Sequence, residues 1–453
     1  MNRTVLLVVS AGALALVALV AGRGPLAPVG GRAAPPVVVS PGGSGALTLA
    51  TSLGSTHVVP GVSTLYAKLD LTAAGGMERV SRSPVNLALA IDCSGSMSDG
   101  KMESAIRAAE SLIDQLQPQD RLAIIAFDDL TRVYESNLAN EHNRSSMRAF
   151  VRALAPSGST NIGLALQAGY SEVRRYTGSY EVSRVLLISD GQPTVGITSV
   201  EGLAGLAATA RDQKISTSAF GIGLDFNAGL MRDLAARGGG ATAFLENAAS
   251  LGGIFAAELK GASELIARDV KVTLTPAAGV TVEEVMGYSF TRVDGAVIVS
   301  LYDFTPRQTA QLLVRLKVNA PAEGNVSLGT ASLWFVDVQK GTVASALAPL
   351  SAQVGSEAQV AAGENADVAE MAKRVDITAR VAQAQAAYSR GDAKSAFDIM
   401  ASTRRLFGAS VDALAGDSDI IEGNWRRGGD DARRTEMDLT KKTMKNFGQY
   451  NAY

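Results

Sequence analysis

"VNLALAIDCSGSMSDGKM", residues 85–102, decides how the middle of this chain is read. Val85 to Ile91 is an apolar run of the kind that forms a strand buried on both faces. The residues after it carry two incompatible motifs. Gly95 to Lys101 spells G-x-x-x-x-G-K, a phosphate-cradling loop if Ser or Thr came next. Asp92 to Ser96 spells D-x-S-x-S, three oxygen-bearing side chains at alternate positions, suited to a divalent cation.

Working outward, Ile106, Ala109, Leu112, Ile113 and Leu116 recur at helical spacing and predict a helix over 101–116. "RLAIIAF" (121–127) reads as a second buried strand and "TRVYES" (131–136) as an edge strand. Helices are expected over 147–154, 162–176, 199–213, 227–237 and 250–259, with strands at 184–189, from Ile215, and in "ATAFLE". Strand–helix alternation with apolar strands means an α/β, doubly wound, mostly parallel sheet covered on both faces, over residues 85–261. Ligands in such folds bind beyond the carboxyl ends of the strands, which is where the loop at Asp92 leaves the first strand.

From 262 to 350 strands follow one another without helices, as in "RDVKVTLTP", "TAQLLVRLKV" and "NVSLGTASLWFVDV". This predicts an antiparallel β-sandwich, which the strand-like residues 46–84 would complete around the inserted α/β domain. Trp334 and Phe335 are assigned to its core and His57 to a β flank. Residues 351–453 read as a helical C-terminal region: one helix from Ala366 to Tyr388, a break at Gly391-Asp392, and a second to about Leu406. The mixed-sign tail beyond is expected to be a solvated or loosely ordered face, with Met437, Leu439, Met444 and Phe447 as a helix face packed on the protein itself.

Composition removes several function classes. The chain has 453 residues, enough for several domains; its net charge is -2 and aromatics are 5%. Neither a phosphate-neutralising field nor a base-stacking surface is available, so nucleic acid is not an expected partner. The single cysteine, Cys93, excludes intramolecular disulfides and multi-cysteine metal sites, and two histidines, His57 and His142, give imidazole chemistry little material. Cys93 falls at an x position of the motif and is expected to point into the core; His142 is assigned to a surface loop or helix start. At the N-terminus, Met1-Asn2-Arg3 precedes an uncharged run from Thr4 to Gly22. Residues 1–23 are read as an export signal or a retained membrane anchor, and the Pro/Gly-rich stretch 24–45 as a tether. Either reading places the protein outside the cytoplasm: periplasmic, at the cell surface, or anchored through residues 4–22.

The two loop motifs make different demands. A phosphate loop needs a hydroxyl after its lysine to hold magnesium, and that position is Met102, a poor ligand for a hard cation. A metal site needs more oxygens from neighbouring strand-end loops. Thr160 in "PSGSTNIG", before a helix, and Asp190 in "ISDGQPT", after a strand, supply them. Asp92, Ser94, Ser96, Thr160 and Asp190 are therefore the candidate metal ligands. The runner-up is a nucleotide-binding hydrolase using Gly95–Lys101, which makes Lys101 essential where the metal reading gives it little role.

With those residues placed, the stretch from Val85 to Gly261 resembles a von Willebrand factor type A domain carrying a metal-ion-dependent adhesion site. The segment from Ala219 to Leu259 further resembles bacterial members related to inter-alpha-trypsin-inhibitor heavy chains and calcium-activated-channel-like proteins. The resemblance implies that Ser94 and Ser96 coordinate the ion directly, Thr160 does so when a ligand is bound, and Asp92 and Asp190 act largely through water. It implies Mg2+, or Mn2+ or Ca2+, and a protein partner presenting an Asp or Glu carboxylate. Neutral hydroxyls leave most of the +2 charge uncompensated, which is binding chemistry. Hydrolysis would want a positioned base; the nearby acids Asp99, Asp128, Asp129 and Asp225 read as rim residues, so no enzyme is expected.

Overall fold

The computed structural model describes residues 45–75, 83–190, 192–224, 226–245 and 250–447. The apolar run 4–22, the tether and Asp225 lie outside the described residues. Three strands come first: β1 (Leu47–Leu53), β2 (His57–Val58) and β3 (Gly61–Ala73). The α/β layer follows as β4 (Val85–Asp92), α1 (Lys101–Gln115), β5 (Arg121–Phe127), β6 (Thr131–Leu138), α2 (Glu141–Arg152), α3 (Ile162–Arg174), β7 (Val182–Ser189), α4 (Val200–Asp212), β8 (Ser216–Ile222), α5 (Ala228–Gly238), β9 (Gly239–Leu245) and α6 (Leu251–Ser263).

These strands form one sheet in the order β6-β5-β4-β7-β8-β9, parallel except for β6, which runs antiparallel at the edge. Every residue of β4, β7 and β8 is buried, as strands covered by helices on both faces require. Leu87, Leu89 and Ile91 pack on one face against Ala105 and Leu112 of α1, Met147 of α2 and Phe255 of α6. Ala88 and Ala90 face the other way, toward Leu166 and Val173 of α3, with Leu203 and Leu234 further along the same layer. Small residues suit that face because α3 sits close: a Cβ on its Gly169 would lie 3.2 Å from Val185 Cγ1. The chain adds β5 on one side of β4 and later returns to place β7 on the other. β4 is thus the switch point of the sheet, the position at whose carboxyl end ligands bind in folds of this kind.

One helix departs from expectation. α2 starts at Glu141, capped by the Asn140 side chain accepting from Asn143 N, well before residue 147. Only its Met147 and Val151 are buried, so the apolar periodicity of its first turns is nearly silent. His142 lies in that first turn.

The sandwich comprises β10 (Ala267–Pro276), β11 (Val280–Met286), β12 (Thr291–Val293), β13 (Ala296–Ser300), β14 (Thr309–Ala320), β15 (Asn325–Asp337) and β16 (Thr342–Val354), joined by the first three strands. One sheet runs β1-β3-β14-β11 and the other β12-β13-β10-β15-β16-β2. β3 pairs antiparallel with β14 from Gly61↔Ala320 to Thr72↔Thr309, so chain from both sides of the α/β domain shares one core. Leu69, Leu71, Leu312, Val314, Leu333 and Phe335 belong to it. Trp334 departs from its core assignment: it is half-buried on the opposite face of β15, with the Lys271 ammonium 5.9 Å from its ring centroid.

The C-terminal region folds as α7 (Glu357–Ala362), α8 (Ala366–Ser389), α9 (Ala393–Phe407), α10 (Ser410–Ala415), α11 (Ser418–Arg427) and α12 (Gly429–Asn446). The tail expected to be a solvated or loosely ordered face is two of these helices, ordered and solvated along their outer sides. Trp425 stacks on Tyr388 at 5.3 Å and donates its indole N–H to Gln385 Oε1 at 2.9 Å, while Met437 and Met444 reach the core layer that holds Leu230 and Leu234 of α5. The abundant charges lie outward and pair along the helices, as in Arg427–Asp431. Few apolar residues suffice here because each is large and falls on one helix face. Phe447 packs with Met286, Leu313 and Met371.

A buried ionic knot joins the α/β domain to the sandwich. Arg184 of β7 donates to Glu258 of α6 at 2.9 Å and to Ser216 Oγ at 2.9 Å, and lies 3.7 Å from Asp303 of the sandwich. Glu258 also accepts from Ser218 at 2.7 Å. Removing one partner of such a pair strands the other charge in the interior. Glu258→Ala is therefore expected to cost about 3–5 kcal/mol in urea unfolding of the purified protein; a change below about 1 kcal/mol would show that the knot carries no stability.

Candidate metal centre

β4 delivers Asp92 to its carboxyl end with no exposed surface. The carboxylate is held by uncharged donors: Ser94 N at 2.8 Å on Oδ1, and the Ser189 hydroxyl at 2.5 Å on Oδ2. Burial pushes its carboxyl up to about 6, against the lowering effect of the Ser189 and Ser94 hydrogen bonds, and the neighbouring Asp190 pushes the same way. Ionising Asp92 in the ion-free protein thus costs free energy.

Beyond Asp92 the chain does not continue as a strand. Ser94 is extended, and Gly95–Met97 forms a single 3-10 turn. Ser94 and Ser96 meet through that turn, Oγ to Oγ at 3.0 Å, rather than through the strand alternation that their spacing suggests. Ser96 then donates to Asp190 Oδ1 at 2.7 Å. Asp190 follows β7, the strand beside β4, and is fully buried. Cys93 points into the core, its thiol pushed up to about 11 by burial.

Thr160 arrives on the loop before α3. That loop is laced to the first one by Ser157 N donating to Cys93 O at 2.6 Å and Gly95 N to Gly158 O at 3.2 Å. Thr160 itself is 4% exposed. Its N–H donates to Thr194 Oγ1 at 3.0 Å, and its carbonyl accepts from Thr194 N at 3.0 Å and Val195 N at 3.3 Å, which binds it to the loop carrying Asp190. Gly196, at φ +73°, permits this approach: a Cβ there would sit 2.5 Å from Asn161 Oδ1, the cap of α3.

All five sequence-derived residues thus lie on three interlaced loops at the carboxyl ends of the sheet, and hydrogen bonds link four of them directly. The rim acids have other duties. Asp128 accepts from Leu130 N and the Ser157 hydroxyl, each at 2.9 Å, and Asp129 from Ser159 N at 2.7 Å; they brace the Thr160 loop. Asp99 is exposed in a left-handed turn at φ 59°. Among the described residues no cluster of three or more His, Cys, Asp or Glu side chains forms a metal-ligand set; three of the five candidates here are hydroxyls.

Lys101, given little role by the metal reading, stands inside the site. Its ammonium donates to Asp190 Oδ2 at 2.5 Å and to Ser96 O at 3.0 Å. The signal was the motif itself: a lysine at the first residue of the following helix reaches back over the loop. Because that ammonium is engaged with Asp190, and Met102 is buried at 2% exposure, the loop lacks the features of a phosphate cradle.

The comparisons agree with this fold. Residues 86–257 match the sequence model of the von Willebrand factor type A domain. The central domain is a von Willebrand factor type A domain. The chain is 27% identical over 191 residues to the uncharacterised protein YfbK of Escherichia coli, covering 42% of this chain and 33% of that one. It is 30% identical over 172 residues to inter-alpha-trypsin inhibitor heavy chain H4 of Homo sapiens, covering 36% and 18%. The chain thus spans about a third of YfbK, and 47% of the uncharacterised protein sll0103 of Synechocystis.

Among solved structures, a von Willebrand factor type A protein from Catenulispora acidiphila superposes with a TM-score of 0.69 at 17% identity, over 86% of this chain and 96% of that one. The ArnB paralog VWA2 from Sulfolobus acidocaldarius gives 0.59 at 14%, over 90% and 100%. Both likenesses reach beyond the type A domain, so the fold shared includes sandwich and helices. Type A domains commonly mediate protein–protein interaction and adhesion and are mostly non-enzymatic.

The Asp92 environment has a pH signature. Its carboxyl binds protons up to about 6 in the folded state and to 3.8 ordinarily. Between those values the folded state binds more protons, so with EDTA present stability is expected to fall as pH rises from about 4 to about 7, by up to roughly 3 kcal/mol from this group. Asp92→Asn should remove that contribution. Chemical denaturation of both proteins across this range, read as their difference, is the check; identical profiles would mean that Asp92 ionises without penalty.

Proposed function

We propose that the protein recognises an acidic residue of a protein partner through a divalent cation, Mg2+ first and Mn2+ or Ca2+ next, held by Ser94, Ser96 and Thr160 with Asp92 and Asp190 behind them. The observation that carries this reading is a charge imbalance. Two fully buried carboxylates, joined through the Ser94–Ser96 hydroxyl pair, are met by one ammonium, that of Lys101. A cluster of hard oxygens with surplus negative charge fits a hard cation.

When bound, the ion supplies an electrophilic position to which a carboxylate can add as a last ligand. The protein's own residues set the stage for that. Ser94 is sheltered while Ser96 faces solvent, so the cluster is open on the side where a partner would approach. Asp128 and Asp129 fix the loop that presents Thr160. The adhesion-type relatives support recognition rather than catalysis. The apolar run at residues 4–22 supports a location outside the cytoplasm, in the envelope or at the surface; among the described residues no helix is long and apolar enough to cross a membrane.

Thermal unfolding of the purified protein in EDTA, Mg2+, Mn2+, Ca2+ and Mg2+ with ATP tests the ion. A ligand that binds only the folded state at 100 times its Kd adds about 2.7 kcal/mol, so a rise of several degrees is expected with Mg2+ or Mn2+ alone. Ser94→Ala and Asp190→Ala should lose it. A rise that needs ATP would overturn the reading. For the partner, immobilised protein should retain envelope proteins in Mg2+ and release them in EDTA, and Ser94→Ala should retain none of them.

A further inference from the structure

We infer that Lys101 is a tethered cation that takes the ion's place electrostatically in the ion-free site and competes with it, so that this side chain weakens and thereby sets the affinity of the metal centre. The inference rests on the metal reading above and concerns the chain's own residue.

The geometry is specific. Asp190 divides its two oxygens between Ser96 Oγ at 2.7 Å and Lys101 Nζ at 2.5 Å. The same ammonium donates to the Ser96 carbonyl at 3.0 Å, so it bridges the first loop and the carboxylate of the second. Both atoms it touches belong to candidate ligand residues. Lys101 is also the first residue of α1, after Gly100 in the left-handed conformation. A positive charge there opposes the helix dipole, and the residue is held in that position by Asp190 rather than by its helix.

Its surroundings leave room to leave. The side chain is 24% exposed, and its tip runs past Gly223, where a Cβ would lie 3.4 Å from both Cε and Nζ. The ammonium is sheltered but not enclosed, and its stem is long and flexible. A divalent ion arriving among the Ser94, Ser96 and Asp190 oxygens meets a unit positive charge at hydrogen-bond distance from one of them. It must repel that charge or displace it. Without the lysine, the ion-free site keeps its buried carboxylates uncompensated, and the ion-bound site loses a repulsion. Both effects move the equilibrium toward binding.

The test measures Mg2+ and Mn2+ affinity by calorimetry, and ion-free stability by thermal unfolding in EDTA, for the native protein, Lys101→Met and Lys101→Arg. Lys101→Met keeps most of the stem and removes the charge. It is expected to bind Mn2+ at least about tenfold more tightly, a step of ~1.4 kcal/mol, to melt lower in EDTA, and to melt near the native protein when saturated. Lys101→Arg keeps the charge and should bind as the native protein does. Should Lys101→Met fail to fold in EDTA, Lys101→Gln, which retains a donor for Asp190, is read in its place with the same tightening expected.

A neutral variant that binds equally or more weakly overturns the inference, since Lys101 would then be a structural brace or would orient Asp190 for the ion. Native binding with no tightening in the variants sinks this inference alone. No binding in any of the proteins sinks the metal reading with it. Binding that appears only in Lys101→Met would uphold the lysine as the site's resident cation while refuting metal use by the native protein.

Discussion

The parallel sheet has no free face, and most of what is distinctive in this protein follows from that constraint. With helices over both sides, β4, β7 and β8 spend their backbone polar groups in the ladder and most of their side chains in two apolar layers. Polar function is displaced to the strand ends. At β4, where the order of strand addition reverses, the chain places Asp92, and at the adjacent β7 it places Ser189 and Asp190. The Ser189 hydroxyl on Asp92 binds the two strand ends to each other. The loops are short and mutually hydrogen-bonded because buried carboxylates need donors from somewhere, and the backbone N–H of Ser94 is the first available.

The same constraint explains what could be read in advance. Continuous apolar strands such as "RLAIIAF" and "RVLLIS" announce burial on both faces, and the five oxygen-bearing residues could be assigned because each follows a strand or precedes a helix of that alternation. Features governed by a few contacts were silent. α2 shows only Met147 and Val151 to the core, so its polar first turns gave no periodicity. The last two helices have strongly charged outer faces, and their attachment depends on Trp425, Met437, Leu439 and Met444 rather than on a dense stripe. The 3-10 turn at Gly95–Met97 was hidden for another reason: alternate spacing of Ser94 and Ser96 fits a strand as well as a tight turn, and long-range hydrogen bonds, Ser157 N to Cys93 O and Gly95 N to Gly158 O, fix where the loop leaves the strand direction.

The α/β domain enters from β3 and returns to β10, so it is an insertion in a sandwich whose sheets draw on both flanks. Its connections gather at the amino ends of the parallel strands. Val85 opens β4 there, and Arg184 near the start of β7 reaches Glu258 and Asp303. The loops of the candidate site lie at the other end, one strand length away, roughly 25 Å for eight residues. The buried ion pair and the candidate site are thereby separated along the strand axis. A buried ion pair holds the frame at one end, while at the other end buried carboxylates are tolerated at a cost, as sites of binding commonly are.

The two motifs overlapping at residues 92–101 share more than letters. Both need a tight, glycine-containing turn between a buried strand and a helix, and in both a lysine at the helix start folds back over the turn. What separates them is the source of the anion. A phosphate loop leaves its backbone N–H groups and lysine free for an incoming phosphate. Here the protein provides the anion itself: Asp190 takes the Lys101 ammonium on one oxygen and the Ser96 hydroxyl on the other, while Asp92 takes the Ser94 N–H. The lysine and the first backbone N–H of the loop are thus already engaged. What this strand end presents is two buried carboxylates, Asp92 held by uncharged donors and Asp190 by Lys101 and Ser96, which disfavours an anionic ligand there.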